Sequence, residues 1–281
     1  MDNPSTETLK QNFDEDGVIV IKQCLDSKTL KLAENCFNWT LENPGPGAGN
    51  IFDGRKGMFY QDQANPDSFP TYRELLTETL IPEIALSLIS GVHLWLMYEQ
   101  IWLKEGGATR RTPWHQDLPY LPATDEDVVV LWINLEAVSK THCLEFVRGS
   151  HRGPLYNPSA FSADDDSANL FSDPNWPQLP DIERARDNFD IVAWDIRPGD
   201  IVCFHPATLH GGGATSEDSR RRTLSFRFFG ENTKVAHRPH DGMANVEGYE
   251  LADGGRHPLK KVALAANGSA FRHPDFPKLR P

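Results

Sequence analysis

The sequence contains few cysteines, no long apolar run and no excess of basic residues. Its four cysteines are widely spaced and form no Cys-x-x-Cys pair, so neither a zinc knuckle nor a disulfide framework is expected. No uninterrupted apolar run approaches the ~20 residues that a membrane-spanning helix requires. The net charge of −12 opposes binding to phosphate-rich surfaces, which excludes a general nucleic-acid binder or anionic-membrane binder.

Targeting signals are also lacking at the two ends of the sequence. The opening residues, MDNPSTETLK, have neither the basic nor the apolar segment of a secretory signal. The closing residues, PKLRP, differ from the peroxisomal Ser-Lys-Leu tripeptide. We therefore expect a cytoplasmic protein with free thiols. Its expected partner is a small-molecule substrate, with no nucleic acid and no membrane, and both a monomer and a homodimer are compatible with the sequence.

Residues 1–93 are predicted to form a mainly helical N-terminal support. A β-branched run at 17–21 predicts one buried strand. Helices are predicted at 27–41, where Asp26 or Ser27 can cap the first turn, and at 72–88. Residues 44–70 are rich in Gly, Pro, Asn and Asp, so this stretch is predicted to be a long loop.

From Leu94 onward the apolar residues recur with a period of two, which is typical of β-strands. The first such strand, 94–104, is expected to place alternate residues from Leu94 to Lys104 on one face. Further short strands are predicted at 128–135, 143–147, 191–194, 200–204 and 223–229. Helices followed by many strands predict one α+β domain over 1–281, mainly β, with a sandwich or barrel core at 94–230 and a mobile C-terminal arm at 231–281.

Two long segments are candidates for a lid over a buried site. One is the predicted loop 44–70, and the other is 153–188, which is aperiodic and rich in Asp, Ser, Asn and Pro. Both exceed the ~12–15 residues beyond which structureless loops become uncommon in compact domains. The alternative for 153–188 is an acidic surface insertion.

A His-x-Asp pair carries the first chemical signal. In a strand, residues i and i+2 point to the same side, so His115 and Asp117 can direct an imidazole nitrogen and a carboxylate to one point. These are two of the three ligands in the 2-His-1-carboxylate arrangement that holds Fe(II) with open coordination positions. His-x-Asp pairs also arise by chance, and the alternative is an ordinary polar strand end.

Two histidines that could supply the third ligand lie about ninety residues further on. His205 precedes Pro206 and leads into a turn, whereas His210 follows apolar Leu209 and precedes a run of three glycines. A glycine run lets a metal and its ligands approach the backbone closely. We therefore favour His210 over His205 as the third ligand.

A basic cluster, Arg220 to Arg222, opens the last predicted strand. Guanidinium groups bind carboxylates with two parallel hydrogen bonds, as a dicarboxylate cosubstrate would require. Alternation along the strand places Arg221 on one face with Thr223 and Ser225, and Arg220 and Arg222 on the other. For two of these three arginines we expect only a solvated strand edge.

These motifs, taken in order, resemble the phytanoyl-CoA dioxygenase (PhyH) family of iron(II)- and 2-oxoglutarate-dependent oxygenases. The resemblance covers roughly residues 94–230 and is weaker in the N-terminal helices. It rests on the segments 115–122 (HQDLPYLP), Trp132, 143–151 (CLEFVRGSH), Gly199-Asp200 ahead of His210, and 221–225 (RRTLS).

The resemblance implies a double-stranded β-helix, or jelly roll, buttressed by the N-terminal helices. It implies that His115, Asp117 and His210 hold Fe(II) and that Arg221 binds the far carboxylate of 2-oxoglutarate. Trp132 and Lys104 match positions that lie near this cosubstrate in the family. The implied activity is a dioxygenase that uses Fe(II), 2-oxoglutarate and O2 to oxidise, and most simply hydroxylate, an unactivated C–H bond of a small molecule, releasing succinate and CO2.

Some positions depart from the family pattern. His142 occupies a turn where Asn-Gly or Asp-Gly is usual, and Arg148 replaces a proline, so each is a pocket residue or a local substitution. Asp117 retains the carboxylate that related halogenases lack, which disfavours halogenation.

Two alternative functions are a catalytically silent jelly-roll binding protein and a zinc hydrolase. The zinc hydrolase gives Arg221 no role, and the sequence shows no general-base glutamate beside the ligands.

Overall fold

The computed structural model describes residues 5–51, 57–105, 111–162, 165, 167–215, 219–239 and 256–280. Two antiparallel sheets face each other and form the predicted jelly roll. The major sheet has eight strands in the order β1-β9-β6-β11-β4-β3-β2, with β12 also paired to β4, and the minor sheet has the order β5-β10-β7-β8. The predicted fold class, a mainly β domain with a jelly-roll core, is confirmed.

The strands of the major sheet come from both halves of the chain. They are β1 Val18–Ile21, β2 Gly49–Asn50, β3 Met58–Gln63, β4 Leu94–Glu105, β6 Val128–Asn134, β9 Ile201–Phe204, β11 Arg220–Phe229 and β12 Lys278–Arg280. The minor sheet consists of β5 Thr112–His115, β7 Leu144–Val147, β8 Ile191–Val192 and β10 His210–Gly212. All six predicted strands of the core are present, with ends shifted by a few residues.

Four helices precede the core: α1 Thr6–Asp16, α2 Ser27–Glu42, α3 Phe69–Thr77 and α4 Ile81–Leu88. Asp26 caps α2, since its side chain accepts a hydrogen bond from the Thr29 amide. The predicted single helix at 72–88 is instead two helices. The first ends at Thr77, and the second begins at Ile81 with Pro82 in its first turn.

The helices cover the outer face of the major sheet. Phe37, Tyr72 and Leu75 are fully buried there against Leu224 and Phe226 of β11. On the opposite face of the same strand, Thr223, Ser225 and Arg227 point into the space between the two sheets. The alternation of β11 thus separates a hydrophobic core from a polar interior, which is where the site lies.

Strand β4 changes face part-way along its length. Leu94 and Leu96 pack with the helices, as do Ile101 and Leu103, whereas Tyr98 belongs to a separate core cluster. The pairing with β11 skips one residue of β4 between Leu96 and Tyr98, which is a β-bulge. The expectation of one continuous face from Leu94 to Lys104 is therefore wrong, because this bulge reverses the alternation.

Two segments predicted to be irregular contain helices or strands in their described parts. The predicted loop 44–70 contains β2 and β3, and β3 pairs with β4 over its whole length. In the predicted C-terminal arm, residues 256–280 form α5 (Pro258–Ala263) and β12. Phe271 and Phe276 are buried against Phe229, so this part of the arm belongs to the domain rather than being mobile.

Among the described residues no helix is both long enough and apolar enough to cross a bilayer.

Candidate active site

His115 and Asp117 meet at the end of strand β5. The strand ends at His115, and Asp117 lies beyond it with helical backbone angles at the start of a 3₁₀ turn over Leu118–Tyr120. The expectation that both residues lie on one face of the same strand is therefore wrong, because Asp117 lies outside the strand. The turn nevertheless brings Oδ1 of Asp117 to 3.5 Å from Nε2 of His115.

His210 opens strand β10 and is paired directly with His115. Its Nε2 lies 3.7 Å from Oδ1 of Asp117, and the ligand atoms of the three residues all lie within 4.8 Å of one another. His205 lies elsewhere, with its ring 5.2 Å from that of His151. The preference for His210 over His205 agrees with this geometry, because only His210 joins the cluster.

Backbone carbonyls orient both imidazole rings. Nδ1 of His115 is 2.9 Å from the Pro113 carbonyl, and Nδ1 of His210 is 2.9 Å from the Thr208 carbonyl. A carbonyl oxygen can only accept, so Nδ1 carries the proton in each ring and Nε2 presents a lone pair towards Asp117. This is the tautomer that a metal bound at Nε2 requires.

The charge states of the cluster also suit a cation. Burial, with a smaller effect from His115, lowers the pKa of His210 to about 3, so its imidazole is neutral. Burial alone would raise the pKa of Asp117, but Arg227 and the two histidines hold it well below its usual value. Two imidazoles and one carboxylate, all buried and convergent, fit a divalent metal such as Fe(II).

Arg227 is a site residue that the sequence analysis missed. Its Nη2 donates to Oδ2 of Asp117 at 2.8 Å, and its guanidinium lies 4.8 Å from the ring centroid of Tyr98. The signal was present, because Arg227 continues the alternation of Arg221, Thr223 and Ser225 along β11. Extending that period by one step would have found it.

A small cavity, which we call the inner chamber, lies on one side of the cluster. It measures about 40 Å³, and its walls include His115, His210, Trp132 and Arg221. Arg221 is only 3% exposed, its Nη1 donates to the His142 carbonyl at 2.6 Å, and its guanidinium lies 5.4 Å from the Trp132 ring centroid. Arg221 and Trp132 thus face the same cavity as the metal-ligand cluster.

The charge of Arg221 is buried without an acidic partner among the described residues. Its Nε has no hydrogen-bond partner there. Burial lowers the pKa of Arg221 to about 10, which still leaves the group protonated at neutral pH. A buried cation of this kind is stabilised by an anion that enters the inner chamber.

The remaining basic residues near the inner chamber have different surroundings. Lys104 is paired with Arg221 across β4 and β11. It is fully buried, donates to the Gly213 carbonyl at 2.9 Å and lies 3.8 Å from the Phe59 ring centroid. Burial lowers its pKa well below the usual value. Arg220 and Arg222 point away and form ion pairs with Glu105 and with Glu34 and Glu136.

A larger cavity, the outer chamber, opens on the other side of the cluster. It measures about 380 Å³ and shares His115, Asp117, Trp102 and Arg227 with the inner chamber. The segment 153–188, which we call the cover segment, contributes Ser159, Ala160, Phe161 and Leu170 to its wall. The ring of Phe161 is 5.2 Å from that of His115. Tyr120 donates from its hydroxyl to the Ser159 carbonyl at 2.6 Å.

Two further residues singled out in the sequence, His142 and Arg148, do not face the chambers as recognition groups. His142 sits in a turn, where Nδ1 is 2.9 Å from the Ala214 carbonyl, and it contributes only its backbone oxygen to Arg221. Arg148 is exposed and paired with Asp16 and Asp190. Phe52, which belonged to the candidate lid 44–70, lies outside the described residues.

Comparison with known proteins identifies the family. The family model described as phytanoyl-CoA dioxygenase (PhyH) matches residues 13–222. The chain belongs to this family. Within it, the human peroxisomal phytanoyl-CoA dioxygenase is 28% identical over 237 residues, which are 79% of this chain and 68% of the human protein. A probable alpha-ketoglutarate-dependent hypophosphite dioxygenase of Stutzerimonas stutzeri is 29% identical over 112 residues, which are 40% of this chain and 37% of that protein.

Solved structures support the same fold. The epimerase SnoN, crystallised with Fe3+, alpha ketoglutarate and nogalamycin RO, superposes with a TM-score of 0.72 at 23% identity, covering 98% of both chains. As a PhyH protein, this chain is an iron- and 2-oxoglutarate-dependent dioxygenase that uses O2 as its second cosubstrate. Family membership therefore decides against the two alternatives, the silent binding protein and the zinc hydrolase.

Proposed function

We propose that this dioxygenase hydroxylates an unactivated C–H bond of a small molecule, with release of succinate and CO2. The observation that carries the proposal is the division of the interior into two chambers that share one metal-ligand cluster. The inner chamber presents the buried charge of Arg221, which a carboxylate can pair with, and the outer chamber has the size of a small-molecule pocket. Each reactant can thus reach the metal from its own side.

The iron is assigned to His115, Asp117 and His210. Their Nε2 and Oδ1 atoms converge, and the Nδ1 hydrogen bonds to backbone carbonyls hold each ring in the required orientation. Bound iron would supply the oxidising chemistry by activating O2 together with 2-oxoglutarate. The protein's part is to keep these three ligands fixed and dry.

The cosubstrate is assigned to the inner chamber. Arg221 would bind the far carboxylate of 2-oxoglutarate, because its buried charge has no acidic partner among the residues described. Trp132 packs beside the guanidinium and limits its movement. Lys104 is paired with Arg221 in the neighbouring strand, and its Nζ donates to the Gly213 carbonyl and to the Thr112 hydroxyl.

The stoichiometry of hydroxylation determines which products an assay must detect and where the oxygen atoms of O2 must appear. One C–H bond becomes C–OH while 2-oxoglutarate becomes succinate and CO2, and each organic product receives one oxygen atom of O2. The protein should be loaded with Fe(II) without air and then given 2-oxoglutarate, O2 and candidate substrates. Product mass with isotopically labelled O2 distinguishes hydroxylation, which retains the label, from desaturation, which does not.

The His210→Ala variant is the negative control for this assay. Succinate formation by the wild-type protein that the variant lacks supports the assigned iron site. Succinate formation coupled to a product without labelled oxygen would contradict hydroxylation while leaving the dioxygenase class intact.

A further inference from the structure

Gly213 lies directly beside the guanidinium of Arg221. It follows the end of strand β10 and has a φ of +76°, a backbone conformation that residues with a side chain rarely adopt. A Cβ atom added to Gly213 would lie closer than 3.0 Å to Nη1 of Arg221, a separation that real Cβ atoms essentially never show, and 3.1 Å from Nη2. The guanidinium therefore occupies space that exists because residue 213 has no side chain.

Two side chains hold the backbone on either side of this contact. Nζ of Lys104, which is fully buried, donates to the Gly213 carbonyl at 2.9 Å. Nδ1 of His142 donates to the Ala214 carbonyl at 2.9 Å, since a carbonyl oxygen can only accept. Because both carbonyls are engaged, the backbone at residue 213 cannot rotate to make room for a Cβ without losing these hydrogen bonds. The side chain of Arg221 must move instead.

The guanidinium of Arg221 is enclosed by further groups. Its Nη1 donates to the His142 carbonyl at 2.6 Å, and the Trp132 ring centroid lies 5.4 Å away. Arg221 also lines the inner chamber together with the metal-ligand histidines. A displacement of about 1 Å would break the hydrogen bond to His142 and would change the direction from which the guanidinium meets a carboxylate in the chamber.

The iron ligand on the same strand lies at the other end of β10. His210 opens the strand, and its Nδ1 is held by the Thr208 carbonyl. Gly212, between His210 and Gly213, is paired with Leu144 of β7, which holds the strand between the two ends. A side chain added at residue 213 should therefore disturb the cosubstrate anchor and leave the metal ligands in place.

We propose that Gly213 is a positioning residue for the cosubstrate. By leaving room for the Arg221 guanidinium at the inner chamber, it sets the place where the far carboxylate of 2-oxoglutarate binds. Lys104 and His142 support this arrangement by holding the backbone of residues 213 and 214. The inference rests on the proposed function, since it assumes that Arg221 binds that carboxylate.

The test compares two glycines that share a backbone conformation. Gly213→Ala and Gly268→Ala both place an alanine at positive φ, +76° and +80°. A Cβ at Gly268, however, meets no heavy atom of the described chain within 4 Å. Protein loaded with Fe(II) is titrated with 2-oxoglutarate without O2. We expect Gly213→Ala to raise the dissociation constant at least about tenfold and Gly268→Ala to keep it within about twofold of the wild-type value.

The affinity for Fe(II) shows whether the effect is confined to the cosubstrate. A substitution that merely disturbs β10 would move His210 and would weaken the binding of metal and cosubstrate together. We expect Gly213→Ala to bind Fe(II) as tightly as the wild-type protein does. The proposal is overturned by an unchanged 2-oxoglutarate affinity in Gly213→Ala, by an equal loss in Gly268→Ala, or by a parallel loss of Fe(II) affinity.

Removing the guanidinium should remove the effect of the added methyl group. Gly213→Ala combined with Arg221→Ala should bind 2-oxoglutarate as weakly as Arg221→Ala alone, because the two positions act through one contact. If Gly213→Ala fails to fold, this double variant should fold, since the three described heavy atoms nearest to the added Cβ all belong to Arg221. A further loss of affinity in the double variant, or its failure to fold, overturns the proposal.

The outcome is separable from that of the proposed function. If Arg221→Ala binds 2-oxoglutarate as tightly as the wild-type protein, the anchor assigned under the proposed function is wrong, and the role of Gly213 is refuted with it. If Arg221→Ala weakens binding and Gly213→Ala does not, the anchor stands and only the role of Gly213 is refuted. Hydroxylation is decided by the labelled product and not by these titrations.

Discussion

Arg227 donates a hydrogen bond from Nη2 to Oδ2 of Asp117 at 2.8 Å, and Oδ1 of the same carboxylate faces His115 and His210. The arginine therefore occupies one oxygen and leaves the other for a metal. It also keeps the buried carboxylate ionised, because a positive charge in contact lowers the pKa of Asp117. Arg227 is thus a positioning residue for the iron ligand.

The first prediction concerns the hydrogen bond from Arg227 to Asp117. Replacing Arg227 by Met should weaken Fe(II) binding about 10- to 100-fold, since partners that orient metal ligands contribute on this scale. Arg222→Met is the matched control, because Arg222 lies on the opposite face of β11 and pairs with Glu136. Metal titration of the two variants gives the answer. Equal affinities would show that Asp117 is held without Arg227.

The second prediction separates the two candidate histidines. His210→Ala should remove bound iron and abolish turnover, because it deletes one of three convergent ligands. His205→Ala should keep nearly all of its iron, since His205 packs against His151 and Phe13 instead. Metal content after anaerobic loading is the measurement, and a reversed pattern would refute the assignment.

The third prediction concerns the cosubstrate anchor. Arg221→Ala should raise the dissociation constant of 2-oxoglutarate roughly 30- to 5,000-fold, which corresponds to about 2–5 kcal/mol for a buried charge pair. Arg220→Ala serves as the control because Arg220 is half-exposed and pairs with Glu105. Anaerobic titration with 2-oxoglutarate compares them. Similar dissociation constants in Arg221→Ala and wild type would exclude this anchor.

The fourth prediction concerns pH and a buried carboxyl group outside the chambers. Burial raises the pKa of Glu99 to about 8 from its ordinary 4.5. Between these values the folded protein holds a proton that the unfolded chain has released, so the free energy of unfolding should fall as pH rises from 5 to 8. One group contributes at most about 1.4 kcal/mol per pH unit.

Glu99→Gln is the variant for this test. It stays uncharged at every pH and can still accept the hydrogen bond from the Asn65 amide, so its stability profile should lose that slope. Glu7→Gln, on the exposed surface of α1, should keep the wild-type slope. Urea unfolding across this pH range provides the comparison, and parallel profiles for Glu99→Gln and wild type would contradict the buried-acid interpretation.

The fifth prediction concerns the cover segment. Its contacts with the cluster through Phe161 and Ser159 lead us to expect slower amide hydrogen exchange around 157–161 when substrate joins iron and 2-oxoglutarate. Residues 191–192 of β8, in the minor sheet, are the internal reference. No change in 157–161 at saturating substrate would mean that the segment is a fixed wall rather than a lid.

The chemistry-bearing residues were the most predictable part of this protein. His115, Asp117 and His210 stand in short motifs beside turns, and the alternation of β11 separates Arg221 from its two neighbours without any knowledge of the partner strands. The geometry of the His-x-Asp pair was less predictable, because the backbone turns between the two residues and the sequence alone does not show where β5 ends.

Features that depend on distant pairing were missed. Strand β3 reads MFYQDQ, which lacks an apolar face because its glutamines line a polar chamber, so a hydrophobic period could not reveal it. The C-terminal residues 256–280 acquire their order by packing Phe271 and Phe276 on Phe229. That contact joins segments far apart in sequence, and no local pattern encodes it.

Strand β11 serves two environments at once, with Arg221 and Arg227 on its inner face and Leu224 and Phe226 on its outer face. A substitution at one of these positions alters one contact. A single-residue deletion between the arginines would exchange the two faces beyond it, sending a guanidinium into the helix-packed core and an apolar side chain towards Asp117. A change in the length of this strand should therefore disturb the protein more than most substitutions of its single residues, and engineering of the enzyme should leave that length untouched.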